Sequence, residues 1–388
     1  MEQRALRRLL LDLFVGPPEP SIPAIAPDDW ARLDAMAMQH RLQPLLSSRH
    51  RGRTEIPGQI RDGWRAAHRA SAMAAMALQR ELVTVVGLLE ADGLAPIALK
   101  GAWLAWHAYP EPALRPMRDI DLLLDAETVE RGFACLRAAG YTMAEPPEMA
   151  LADIVRMEKH LPPLVSPGGL HIELHHRLWE PDGRLDHAMP AAREAAVRAR
   201  AIRSNGVTYP APDDTLAHLI VHALYGHRLD CGPLVLTDID YLIAAADFDW
   251  PRFWANAAAE GWDQAAALLF ELAGRVGAMV PPQVPRPPGW LVEAAPDLLL
   301  QDLDTRHSAA AAAAVMAGGA GSALRRITGR RRSEEGRSVQ RDMASEGGFL
   351  GWASSRLRRT VHDLADTGVR RQSRELARLS RWLDASQR

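Results

Sequence analysis

Asp119 and Asp121 are separated by a single apolar residue and open an apolar run, Asp-Ile-Asp-Leu-Leu-Leu. On a strand, alternate side chains point to one face, so the two carboxylates project together. Two like charges held side by side are costly unless a cation neutralises them, and a divalent metal carrying nucleotide phosphates does so. Upstream, the apolar segment 97–99 ends in Lys100-Gly101 and runs into a helical pattern over 102–109. A glycine in such a turn lets backbone approach a phosphate, and a helix start offers unpaired N–H groups. Arginine outnumbers lysine 44 to two in this chain, so a lysine beside the glycine turn is informative. Arg115 and Arg118 lie just before the acids, where guanidinium groups can clamp phosphate, although in an arginine-rich chain either also reads as a surface residue.

A second constellation lies in the alternating segment His171-Ile172-Glu173-Leu174-His175-His176. Glu173 shares a face with His171 and His175. Three readings stay open: Glu173 as a third carboxylate for two hard cations, a solvated edge strand, or a zinc site using the histidines. His218 and His222, four apart, share a helix face. Without a third ligand nearby in sequence, packing or substrate contact is preferred there over zinc. Asp238-Ile239-Asp240 repeats the acidic spelling inside a helical pattern, which sets its acids about 200° apart around the axis, unable to face one metal.

Taken together, Leu99-Lys100-Gly101, Arg115, Arg118 and Asp119-Ile120-Asp121 resemble the polymerase-beta-type nucleotidyltransferase superfamily, most closely its branch of uncharacterised nucleotidyltransferases. Later segments are similar to the same branch: Ile172-Glu173-Leu174-His175, Pro212-Asp213-Asp214 leading into Leu219-Ile220-Val221-His222-Ala223, and Asp238-Ile239-Asp240 followed by Asp249-Trp250. The resemblance spans residues 35–285. It implies Asp119, Asp121 and Glu173 as catalytic metal ligands for Mg²⁺ (or Mn²⁺). It also implies Lys100, Gly101, Arg115 and Arg118 as nucleotide-binding residues, with an NTP such as ATP as co-substrate. The reaction implied moves a nucleoside monophosphate to an acceptor: a small molecule, a peptide or a saccharide. Glu173 stands where the family more often carries Asp, and Lys-Gly where much of the superfamily has Gly-Ser or Gly-Gly. Two alternatives remain: a toxin-like transferase acting on tRNA or protein, and a relative that binds nucleotide without turnover.

The elements that would position these residues read as an α+β fold, a mixed nucleotidyltransferase-type sheet with helices, flanked by N-terminal and C-terminal helical segments. At 388 residues and 47% apolar content the chain has room for two cores. The expected division is an N-terminal helical segment over 1–92, a catalytic core over 93–211, a helical domain over 212–285 packing on it, and a linker with a basic, partly flexible helical appendage over 286–388. In the first segment a helix over 1–15 ends at Gly16-Pro17-Pro18 and a long helix spans 59–91, with His40 and Trp64 read as fillers. Strands are expected at 96–100, 119–124, 161–165 and 170–176, with hairpin turns at Ser166-Pro167-Gly168-Gly169 and Asn205-Gly206.

Net charge is −2, yet residues 325–388 hold sixteen arginines against eight acids, so only the tail is basic. Its cluster Arg325, Arg326, Arg330, Arg331 and Arg332 lacks interleaved aromatics, so nucleic acid is not the favoured partner. Cys135 and Cys231 are far apart without metal-ligand spacing, which fits a reducing compartment. No signal-peptide pattern opens the chain, and no uninterrupted apolar run reaches the roughly 18 residues of a membrane span. The expectation is a cytoplasmic protein without membrane contact.

Overall fold

The computed structural model describes residues 1–17, 20–143, 150–179, 191–274, 283–302 and 367–385, with isolated positions between 306 and 316. Four helices open the chain: α1 (Gln3–Val15), α2 (Pro27–Gln39), α3 (Gln43–Arg49) and α4 (Gly58–Ala91). Leu6, Leu9, Leu10, Leu13 and Phe14 recur at helical spacing on α1 and are buried together. Along α4, Trp64, Leu78, Leu82, Val85, Val86 and Leu89 form the buried stripe. Among the described residues α4 is the one helix long and apolar enough to cross a membrane by length and composition. The expectation about membrane-length runs therefore holds for uninterrupted runs alone, because Ala, Met and Val between scattered charges carry α4 past that criterion.

The sheet has seven strands: β1 (Ile97–Ala98), β2 (Asp119–Leu123), β3 (Thr142–Met143), β4 (Leu164–Val165), β5 (His171–His175), β6 (Ile202–Ser204) and β7 (Val207–Tyr209). Their order is β3-β4-β5-β2-β1-β7-β6. β2 pairs parallel with β5 and antiparallel with β1, while β1 pairs parallel with β7. The mixed sheet flanked by helices is the α+β architecture expected. Asn205-Gly206 makes the β6–β7 turn with both residues at positive φ, 49° and 82°, as a tight hairpin requires.

The remaining helices surround this sheet. α5 (Gly101–Trp103) continues as a π-helical turn over Leu104–Ala108, and α6 (Val129–Ala138) packs against α4 and β5. There follow α7 (Leu151–Met157), α8 (Ala191–Ala199), α9 (Pro212–Val221), α10 (Leu234–Ala245), α11 (Trp250–Ala259), α12 (Asp263–Leu272), α13 (Gly289–Leu299) and α14 (Thr367–Ala385). α14 packs on α13 through a face that buries Val369, Leu376, Leu379 and Leu383. One contiguous core runs from Leu6 to Leu383, so all four expected segments contribute to it. The cluster from Arg325 to Arg332 lies outside the described residues.

His40, at the end of α2, is 8% exposed. Burial, then the charges of Arg7, Arg41 and Arg306, push its imidazole down to about 4 against a backbone hydrogen bond at Gln301. The unfolded chain therefore binds a proton between pH 6.5 and 4 that the folded chain refuses, so stability falls on acidification through that window. A shift of this size corresponds to about 3 kcal/mol at its limit. His40→Gln is expected to flatten the dependence of Tm on pH between 7 and 4.5, as calorimetry at stepped pH would read; an unchanged slope would contradict the assignment.

Candidate active site

The parallel register of β2 and β5 sets Asp119 opposite His171, Asp121 opposite Glu173 and Leu123 opposite His175. Ile120, Leu122, Ile172 and Leu174 alternate onto the other face and are buried. β5 is an interior strand between β4 and β2, and Glu173 is half-buried, which removes the solvated-edge reading.

The acids are balanced from within the protein. Lys100 Nζ lies 3.1 Å from Asp121 Oδ2, and His175 Nε2 lies 3.0 Å from Asp121 Oδ1 and 3.4 Å from Glu173 Oε2. Burial works against ionisation of Asp121, but Lys100 and His175 outweigh it and hold the carboxyl well below its usual range. Asp119 stands at the rim; burial of its carboxyl, then the charges of Asp121 and Glu173, push it up to about 6 against Lys100 and Arg41. Asp121, Glu173 and His175 each offer a ligand atom, all within 4.8 Å of one another. Beside them, the His160 ring lies 5.1 Å from that of His175, with its Nδ1 2.9 Å from the Leu161 carbonyl and its Nε2 4.0 Å from Glu173 Oε2. Sequence reasoning weighed His175 only as part of a zinc set and passed over His160. The strand parity already contained His175, whereas His160 joins through a bridge to β5 that no local pattern announces. His171 is exposed at the strand start, and His176 is buried with neither ring nitrogen hydrogen-bonded.

The expected phosphate residues separate. Lys100 adopts φ 42°, and its ammonium sits on Asp121. A Cβ at Gly101 would come to 2.5 Å from Arg115 Nη1 and 3.0 Å from Met117 Sδ, so a side chain there displaces one or both. Arg115 Nε and Nη2 engage Asp238 at 2.9 and 3.0 Å, and the Tyr109 hydroxyl donates to Asp238 Oδ1 at 2.7 Å. Of the guanidinium, Nη1 is the arm left facing the turn. Arg118 is exposed beside Asp119.

Asp238 and Asp240 lie on the helix α10, as the spacing predicts, with Asp238 buried on Arg115 and Asp240 half-exposed. Asp214 is held by Arg200 at 2.6 Å and by Arg193 at 3.4 Å, so it anchors the start of α9. On α9, His218 packs edge-on against Trp179 with ring centroids 5.2 Å apart, and His222 lies 6.0 Å further along. Burial, then the Lys100 charge, drives both imidazoles well below their ordinary range, so they face the site neutral.

Arg41, in the turn between α2 and α3, also reaches the site. Burial and the charges of Arg118 and Arg115 bring its guanidinium down to about 10, with Asp119 and Asp238 opposing. The helical segment over 1–92 thus contributes a charged side chain where sequence reading found no chemistry.

Neither a curated protein nor a solved structure matches the chain. One family model matches residues 26–277, and its description is uncharacterised nucleotidyltransferase.

Proposed function

The chain belongs to this uncharacterised nucleotidyltransferase family, and from that premise we propose that it transfers a nucleoside monophosphate from an NTP, with Mg²⁺ or Mn²⁺, to an acceptor that is a small molecule, peptide or saccharide. The observation that carries the reading is the pairing of Asp121 with Glu173 on one sheet face, at an interior position where Lys100, His175 and His160 lie against them. Asp119, Asp121 and Glu173 would hold the metal through the carboxylate oxygens that Mg²⁺ and Mn²⁺ prefer, with the His175 nitrogen beside them. When bound, such an ion neutralises phosphate charge and lowers the pKa of an attacking hydroxyl.

The remaining work is positioning. Lys100, the Gly101 turn, Arg115 through Nη1, and Arg118 would seat the phosphates, which leaves little covalent chemistry to the protein. His218, edge-on to Trp179, and His222, both held neutral by burial, would wall the inner end of the site. Residues 93–211 would form the catalytic core, with 212–285 closing over it through α9 and α10.

The test is calorimetric titration of each NTP with Mg²⁺ into the full chain and into the Asp119→Ala/Asp121→Ala double variant. Metal-dependent binding that the double variant loses is the expected result, and it names the donor nucleotide. Equal binding by both proteins sinks the site assignment.

A further inference from the structure

The turn between α2 and α3 is built as a helix stop that ordinarily takes glycine. Arg41 N donates to the Met38 carbonyl at 3.0 Å and Leu42 N to the Ala37 carbonyl at 2.8 Å, the paired bonds of a Schellman ending. The residue at the left-handed position is Arg41, with φ 60°. A side chain there carries a conformational cost that glycine avoids. Strain of this kind persists where surrounding structure enforces it, and it concentrates at functional sites.

The turn aims the guanidinium at the outer end of the site. Its hydrogen bond to protein is a long one, Nη1 to the Pro116 carbonyl at 3.4 Å. Arg118 follows two residues later and makes no hydrogen bond or ion pair to a described residue, while Arg115 keeps Nη1 against the Gly101 turn. Arg115 is therefore matched by a carboxylate that it engages directly, Asp238, whereas Arg41 feels Asp119 and Asp238 without an ion pair to either among the described residues. The inner end, with Asp121, Glu173, His160 and His175, is acidic and carries ligand atoms for a cation. A polyphosphate entering such a site turns its anionic tail toward the guanidinium end.

We propose that Arg41, carried in from the N-terminal helical segment, binds the β- and γ-phosphates of the NTP together with Arg118 and holds the departing pyrophosphate. The proposal rests on the nucleotidyl-transfer reading. In that reaction the acceptor oxygen forms a bond to the α-phosphorus and gives its proton to water. The bond from the α-phosphorus to the oxygen bridging the α- and β-phosphates breaks, and its electron pair stays on pyrophosphate. Two guanidinium forks meeting that product supply charge-assisted hydrogen bonds where negative charge accumulates.

The left-handed backbone supplies a variant that separates function from folding. Arg41→Gly removes the guanidinium and relieves the turn, so its Tm is expected to equal or exceed that of the wild type. Titration of inorganic pyrophosphate with Mg²⁺ into the full chain is expected to show an affinity about tenfold or more weaker in Arg41→Gly, the scale of a lost charge-assisted pair. Mn²⁺ affinity read by electron paramagnetic resonance is expected to stay within about twofold of wild type, since a phosphate contact leaves the metal ligands untouched. Arg41→Lys, which keeps the charge without the fork, should fall between the two.

Equal pyrophosphate affinity in wild type and Arg41→Gly, no pyrophosphate binding to wild type, or a lowered Tm in Arg41→Gly would each overturn the proposal. Its failure is distinguishable from failure of the transfer reading. NTP binding lost in the Asp119→Ala/Asp121→Ala variant, with pyrophosphate binding unmoved by Arg41→Gly, keeps transfer and removes this role for Arg41. Pyrophosphate binding that needs Arg41, in a chain with no nucleotide turnover, keeps the polyphosphate seat and removes transfer.

Discussion

Asp121→Asn is expected to abolish metal-dependent nucleotide binding and to lower NTP turnover by about three orders of magnitude or more, the scale of several kcal/mol of charge stabilisation. Asp121 is the acid on which the site converges: it accepts from Lys100 on one oxygen and from His175 on the other. Amidation removes the charge that Lys100 and His175 both engage. Lys100 is 16% exposed at its side chain and keeps the more distant charges of Glu173 and Asp119, so losing its direct partner should cost about 3 kcal/mol, the low end for a broken buried pair. Adding Lys100→Met removes the stranded charge and is expected to restore most of the stability while leaving turnover absent. That split is the readout: calorimetric Tm recovers in the double variant, and Mn²⁺ binding does not. Wild-type Mn²⁺ affinity in Asp121→Asn would show that the ion sits elsewhere.

The sequence carried the parity of this site better than its neighbourhood. The alternation in Asp119-Ile120-Asp121 and in His171-Ile172-Glu173-Leu174-His175 placed each acid on the polar face of its strand, because strand period depends on local geometry alone. That β2 and β5 would lie side by side in parallel, with 47 residues between them, followed from no local pattern; the resemblance to a family grouped Glu173 with the two aspartates but named no strand pairing. Asn205-Gly206 announced its hairpin because type I′ geometry demands positive φ at both residues. The Arg41 turn adopts a comparable conformation without glycine and was for that reason invisible. Arg115 and Arg118, three apart and equally basic, could not be ranked from sequence, since the difference between them is Asp238, which α10 brings in from more than 100 residues away. The stretch after Gly101 reads as one helix, and the structure gives one turn of α-helix followed by a π-helical turn, a distinction that hydrophobic spacing does not register.

That long-range pair gives the second large effect. Breaking the Arg115–Asp238 pair from either side is expected to destabilise the fold by about 3–5 kcal/mol, because both Arg115→Ala and Asp238→Ala leave a buried charge without its partner. Asp238 is 3% exposed and also accepts from Tyr109, so Tyr109→Phe should cost less, about 1 kcal/mol, for one neutral donor lost. Replacing both members, Arg115→Met with Asp238→Leu, substitutes apolar volume for the pair and is expected to recover most of the loss. Chemical denaturation of the four variants measures these terms, and additive losses in the double variant would refute the pairing as the source of the effect. The double variant then isolates a second question in a folded protein. With stability restored, pyrophosphate affinity reports what Arg115 Nη1 contributes at the Gly101 turn, free of the anchoring that Nε and Nη2 provide. A weakened affinity there assigns Arg115 both jobs; an affinity equal to wild type leaves it as the strut that carries α10 and leaves the phosphates to Arg41, Arg118 and Lys100.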